Sequence, residues 1–153
     1  MKYNCELTNQ PSQPVLSVRS RSTAENIPGL MGRIFPTVLG YLSQLGETPA
    51  GMPFAAFYNM DANDMDVEVG WPVGRELPGQ GEIQAGEIPG GWQASLLYTG
   101  SYDAMAPTYE ALAEFVKASG YEPTGVSYEF YLNDPTGLSP DQAQTLIMFP
   151  LKS

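Results

Sequence analysis

The stretch Val126-Ser127-Tyr128-Glu129-Phe130-Tyr131-Leu132, running on into Asn133-Asp134-Pro135, decides how this chain is read. A run so rich in aromatic and β-branched residues forms a strand, and a strand alternates its faces. Glu129 and Tyr131 therefore share one side, Tyr128, Phe130 and Leu132 take the other, and Asn133-Asp134-Pro135 turns the chain. A carboxylate is thereby planted in mid-strand beside a phenol. Burying it without a partner is costly, so it is solvated, paired, or placed to meet a ligand.

Working outward, the preceding segment carries Met105, Tyr109, Leu112 and Val116 on one helical stripe, with a predicted opening at Gly100-Ser101 and a stop at Gly120. Before it, Trp92 to Tyr98 is strand-like, and after the turn-rich Asn133 to Asp141 a last strand is expected at Thr145 to Phe149. The first half repeats the order. Gln13 to Arg21 alternates as a strand. Ile27, Leu30, Met31, Ile34, Val38, Tyr41, Leu42 and Leu45 recur at helical spacing up to Gly46, with Pro36 expected to kink the helix or delay it to Thr37. Phe54 to Met60 and Met65 to Trp71 then form a hairpin across Asp61-Ala62-Asn63-Asp64, with Asp66, Glu68 and Gly70 on one face.

Two short matches mark the repeat: Phe57-Tyr58-Asn59-Met60-Asp61 with Phe130-Tyr131-Leu132-Asn133-Asp134, and Trp71-Pro72-Val73 with Phe149-Pro150-Leu151. The fold class that follows is α+β. Two pseudo-symmetric strand-helix-strand-strand modules build an antiparallel sheet, with helices on one face and a ligand groove on the other. Module one spans about 13–72 and module two about 92–151. The Gly- and Pro-rich connector 73–91 has at most a short strand around Glu82 to Ala85 and is a candidate lid.

Composition narrows the chemistry. With 153 residues the chain is most simply a single domain. Its lone Cys5 makes no internal disulfide, and its start lacks an apolar signal core, which points to the cytosol. No apolar run is long enough to span a bilayer. Seventeen acidic against seven basic residues argue against nucleic acid as a partner. Asp61, Asp64, Asp66, Glu68, Glu76, Glu82 and Glu87 face a single Arg75 within their segment, which reads as a solvated rim that also favours cationic ligands.

The absence of histidine removes Ser-His-Asp and Cys-His catalysis, and with one cysteine it removes ordinary zinc and copper sites. The acidic run from Asp61 fails as a calcium loop, having Met65 and Asp66 where oxygen and glycine are needed. Gly79-Gln80-Gly81 opens no helix and carries no lysine, so it is no phosphate cradle. No cofactor is expected. What remains is a set of carboxylates and aromatic rings: Glu129 with Tyr131, Glu68 on the polar face of the first module, Tyr58 as the repeat partner of Tyr131, and Trp92 and Tyr98 for stacking. For Glu129 the plainer reading, an outward-facing polar strand face, stands beside the ligand reading.

Taken together, Pro53-Phe54-Ala55-Ala56-Phe57-Tyr58-Asn59-Met60-Asp61, Met65 to Val73, Leu97 to Tyr102, Tyr109 to Leu112, Gly120 to Pro123 and Tyr128 to Pro135 resemble the GyrI-like small-molecule-binding domains. That superfamily includes gyrase-inhibitor proteins and the effector-binding domains of AraC-type and multidrug-sensing regulators. The resemblance covers roughly Pro11 to Leu151. It departs at Gly100-Ser101-Tyr102, usually Gly-Pro-Tyr, and at Tyr128, where arginine is common. It implies the doubled module, a central groove and a signature pocket glutamate at Glu129, with Glu68 matching the acid of Asp-Val-Glu-Val-Gly. Regulators of the family it resembles carry a helix-turn-helix, and 153 residues leave no room for one beside the domain, so a stand-alone member is expected.

Three functions stay open. The first is capture of small amphipathic, aromatic or cationic molecules by Glu129, Tyr131, Glu68, Tyr58, Trp92 and Tyr98, for sensing or sequestration. The second is hydrolysis of strained cyclopropane rings in DNA-alkylating natural products, with Glu129 as general base and Tyr131 or Glu68 positioning the substrate. The third is binding of a protein partner, as gyrase inhibitors do.

Overall fold

The computed structural model describes residues 4–101, 104–133 and 142–152. Eight strands and two α-helices follow one another as β1 (Cys5–Gln10), β2 (Gln13–Ser22), α1 (Ile27–Gln44), β3 (Phe54–Phe57), β4 (Met65–Pro72), β5 (Gln84–Ile88), β6 (Gly91–Thr99), α2 (Ala106–Ala118), β7 (Ser127–Tyr131) and β8 (Gln144–Pro150). The recorded strand pairings are antiparallel, and the fold is α+β with the strand-helix-strand-strand order occurring twice. The chain divides into two units, 11–90 and 1–10 with 91–153.

In the 11–90 unit the strands lie in the order β3, β4, β2, β5. Leu16, Val18, Val67, Val69, Ala55 and Phe57 are buried on one face. This face carries α1, because Trp71 donates its indole N–H to the Phe35 carbonyl at 3.0 Å and packs edge-on against the Phe35 ring. Helix α1 turns Ile27, Ile34, Val38, Tyr41 and Leu42 inward and runs unbroken through Pro36. The helix starts at Ile27, so the alternative of a start delayed to Thr37 is corrected. Pro36 removes one N–H, but it and Gly32 four residues earlier are both exposed, so the carbonyl that is set free lies open to solvent.

The second unit lays its strands in the order β1, β6, β8, β7. Its core gathers Ala94, Leu96 and Tyr98 of β6, Ile147 and Phe149 of β8, and Met105, Leu112 and Val116 from α2 and its approach. Strand β1 was not foreseen, since Cys-Glu-Leu-Thr-Asn-Gln has little apolar alternation; it pairs along all of its length with β6 and adds Cys5 and Leu7 to the core. Likewise the connector supplies β5, displaced from the expected Glu82 to Ala85 and paired with β2 from Gln13 to Ser17. Helix α2 begins five residues after the expected Ser101, where Pro107 in the first turn is pre-set for a helix. Tyr102 and most of the Asn133 to Asp141 turn lie outside the described residues.

The register shifts the internal repeat by one residue. Matching Trp71 to Phe149 makes Val69 equivalent to Ile147 and Val67 to Thr145. Their cross-strand partners then make Ala55 equivalent to Glu129 and Phe57, rather than Tyr58, equivalent to Tyr131. A one-residue shift in a strand moves a side chain to the opposite face.

Candidate functional site

Strand β7 places Ser127, Glu129 and Tyr131 on one face, and pairing with β8 sets Glu129 opposite Ile147 and Tyr131 opposite Thr145. Ile147 belongs to the core under α2, so this is the helix-covered face of the unit. Glu129 is half-buried there, and both of its oxygens are engaged: Oε1 accepts the Tyr131 hydroxyl at 2.8 Å and Oε2 accepts the Tyr109 hydroxyl, delivered from α2. The Tyr109 ring is seated against Phe149 with centroids 5.8 Å apart. No ion pair among the described residues involves Glu129.

Burial pushes the Glu129 carboxyl above the usual range, and the two phenol hydrogen bonds pull it only partly back. The Tyr109 phenol is pushed up as well, first by burial and then by the neighbouring Glu129 charge and hydrogen bond. It therefore acts as a neutral donor to a carboxylate that lacks a counter-charge. A carboxylate in that state can pair with a cation or act as a general base.

Successive rows of the sheet locate the remaining candidates of this unit. Tyr98, Thr145 and Tyr131 form one row across β6, β8 and β7, while Leu96, Ile147 and Glu129 form the next. Tyr98 is buried, with its hydroxyl given to the Ser101 carbonyl at 2.7 Å, so its ring is the part left for packing. Trp92 lies at the opposite end of β6, six residues from Tyr98 and hence about 20 Å along the strand. It is 44% exposed and pairs with Tyr121 at 6.1 Å. The strand thus separates the two stacking candidates.

Glu68 and Tyr58 meet in the other unit. The Tyr58 hydroxyl donates to Glu68 Oε1 at 2.5 Å and the Ser17 hydroxyl to Oε2 at 2.5 Å, while the Arg19 guanidinium lies 3.6 Å above the Tyr58 ring. Arg19 also makes a two-pronged pair with Asp66 at 2.6 and 2.8 Å, which holds the Asp66 carboxyl below its ordinary range. These residues occupy the face of β4 away from α1, whereas Glu129 stands on the α2 side of β7. The two carboxylates are therefore not equivalent positions of the repeat. Nor is the acidic segment bare, as arginines distant in sequence reach it: Arg21 pairs with Asp64 at 3.0 Å and Arg33 with Glu82 at 2.9 Å.

Sequence reasoning missed three groups. Tyr109 was read as part of the core stripe of α2, although a buried tyrosine hydroxyl requires a partner and that requirement was the available signal. Ser127 and Thr145 carry buried hydroxyl oxygens with no hydrogen-bond partner, a state costing about 1–3 kcal/mol per group. The Ser127 hydroxyl approaches the Tyr109 phenol closely enough to temper its rise without meeting hydrogen-bond geometry. Among the described residues, no group of three or more His, Cys, Asp and Glu side chains could hold a metal ion, and no helix is long and apolar enough to cross a membrane.

Known proteins share this architecture. A structure of the EcmrR–DNA complex in EcmrR-RPo superposes with TM-score 0.85 at 22% identity over 99% of this chain, which spans 58% of the EcmrR chain. A hydrolase from Listeria innocua matches with TM-score 0.69 at 14% identity, covering 97% of this chain and 91% of its own. SAV2435 bound to tetraphenylphosphonium matches with TM-score 0.63 at 12% identity, covering 100% and 95%. At these identities the likeness is one of fold. No curated protein matches the chain. The sequence profile of one family, however, matches residues 3–152, and the chain belongs to that family, the GyrI-like small molecule binding domains.

Proposed function

We propose that this domain captures amphipathic aromatic cations, for sensing or sequestration, with Glu129 as the group that meets the positive charge. One observation carries the reading: Glu129 is a desolvated carboxylate held by two phenols and by no Lys or Arg. A carboxylate in that condition gains most from a cation that brings its own apolar surface and excludes water. Tyr131 and Tyr109 fix the orientation of the carboxylate, and the Tyr98 ring, two strands away in the row of Tyr131, adds aromatic wall. Glu68 and Tyr58 form a second carboxylate–phenol pair within the 11–90 unit. The tetraphenylphosphonium held by SAV2435, a protein of the same fold, is in keeping with this ligand class.

Titration of the 153-residue chain with tetraphenylphosphonium, followed by calorimetry, tests the proposal. Glu129→Gln is expected to weaken binding by at least about tenfold, the scale of one lost charge-assisted contact. Glu122→Gln removes the same charge from an exposed position, 73% accessible, and should leave affinity unchanged. Equal affinity of wild type and Glu129→Gln would refute the assignment.

The hydrolase reading draws on the same raised carboxyl. Glu129 would take a proton from water as its oxygen bonds to the strained ring carbon, while the released electron pair and a proton go to the conjugated carbonyl of the substrate. The fold shared with the Listeria innocua hydrolase keeps this reading in play. Product mass after incubation with a cyclopropane-bearing electrophile separates the two, since binding leaves the ligand mass unchanged.

A further inference from the structure

Two side-chain oxygens, Ser127 Oγ and Thr145 Oγ1, are the buried polar side-chain atoms left without a hydrogen-bond partner among the described residues. Ser127 is 7% exposed and Thr145 0%. Both belong to the face of Glu129. Ser127 precedes it by two residues on β7, and Thr145 is the cross-strand partner of Tyr131. Each lies one row from the same carboxylate, on either side of it, and Ser127 approaches the phenol that covers that carboxylate. Orphaned hydroxyls scattered through a core would be an accident of packing. A pair flanking one uncompensated carboxylate marks the place of a polar occupant.

The donor and acceptor inventory says what that occupant brings. An ionised carboxylate only accepts, and the protons of Tyr109 and Tyr131 are both given to Glu129. The hydroxyls of Ser127 and Thr145 each bring two lone pairs and one proton. Around Glu129 lone pairs thus outnumber free protons, so an occupant satisfies the surplus by donating. A quaternary ammonium or phosphonium ion supplies charge but no N–H.

We propose that Ser127 and Thr145 are specificity-determining residues of the Glu129 site, and that the site selects protonated amines bearing N–H donors over onium ions that have none. The inference rests on Glu129 being the cation-binding group and goes beyond it by naming the ligand headgroup. It makes the two hydroxyls dispensable for folding, since neither holds a hydrogen bond of full geometry in the free protein, and needed for selection.

The test uses the full chain at neutral pH and a matched pair of probes, 2-naphthylmethylammonium and its N,N,N-trimethyl counterpart, titrated by calorimetry. The primary ammonium is expected to bind wild type at least about tenfold more tightly, as for a buried polar group that gains rather than lacks its partner. In Ser127→Ala/Thr145→Val, and in part in Thr145→Val alone, that preference should fall to about threefold or less through weaker binding of the primary ammonium. The melting temperature of the ligand-free variant should hold or rise by about 2–4 °C. Equal affinities in wild type, or a preference for the trimethyl probe, overturn the proposal. So does a preference undiminished in the double variant, which would assign selection to Glu129 or to bound water. A fall in melting temperature with equal loss of both probes would make the hydroxyls structural and overturn it too. If Glu129→Gln binds both probes as wild type does, the underlying assignment of Glu129 fails instead.

Discussion

Glu129 binds its proton more tightly in the folded chain than in the unfolded one, because burial outweighs the two phenol hydrogen bonds. A carboxyl raised in this way contributes stability that is full below its unfolded value and is lost as pH rises through the folded one. The expected outcome is that Glu129→Gln lowers the stability of the protein at acid pH relative to its effect at neutral pH. Melting curves of both proteins across that window, rising from the ordinary glutamate value, should therefore converge or cross as pH increases. For a cation the sign is opposite: the proton competes with the ligand, so affinity should rise with pH through the same window and be flat in Glu129→Gln. Calorimetry in buffers of different ionisation enthalpy would count the proton released. Removing the donor in Tyr109→Phe takes away a contact that lowers the carboxyl, so the Glu129 titration followed by carbon-detected NMR should move further upward.

At the level of elements, the β2–β4 pairing that supports the Glu68 cluster depends on Gly70. A Cβ at this position would stand 2.2 Å from the Leu16 carbonyl oxygen and 2.7 Å from Ser17 Cα, so no side chain fits between the strands. Gly70→Ala is expected to cost about 3 kcal/mol or more in urea unfolding, with the hydrogen bond from Ser17 to Glu68 disturbed. Helix α1 offers the reverse case. Pro36 is exposed and sits inside the helix, so Pro36→Ala restores a backbone donor and relieves the contact with the preceding turn. The expected gain is about 1–3 kcal/mol, read as a higher urea midpoint with an unchanged slope. Alternation and helical spacing placed the hairpin, both helices and the strand of Glu129 because these patterns are local. Strand β1 and the bounds of β5 escaped because their sequences are neutral, and pairing with β6 and β2 decides them.

Over the whole molecule, each unit draws on chain that does not adjoin it or does not announce itself: residues 5–10 close the edge of the unit holding Glu129. Deleting residues 1–10 should therefore strip hydrogen-exchange protection from β6 and β8 and abolish cation binding, as Cys5 and Leu7 leave the core that carries α2 and Tyr109. Family membership was legible because many weak motifs in the right order are jointly specific, as was the candidacy of Glu129, a carboxylate alternating into an aromatic strand. The face that Glu129 occupies was not legible, nor was the partnership with Tyr109, twenty positions away on a helix. The internal repeat misled by one residue, since matching letters ignored the register that hydrogen bonding between β3 and β4 and between β7 and β8 imposes. The sequence by itself determined both helices, the hairpin, the strand of Glu129, the family and the carboxylate, all of which depend on local pattern and residue chemistry. The tertiary structure alone decided what surrounds that carboxylate, because two phenols, two idle hydroxyls and the lack of a cation are relations between strands and a helix, set by packing across the sheet.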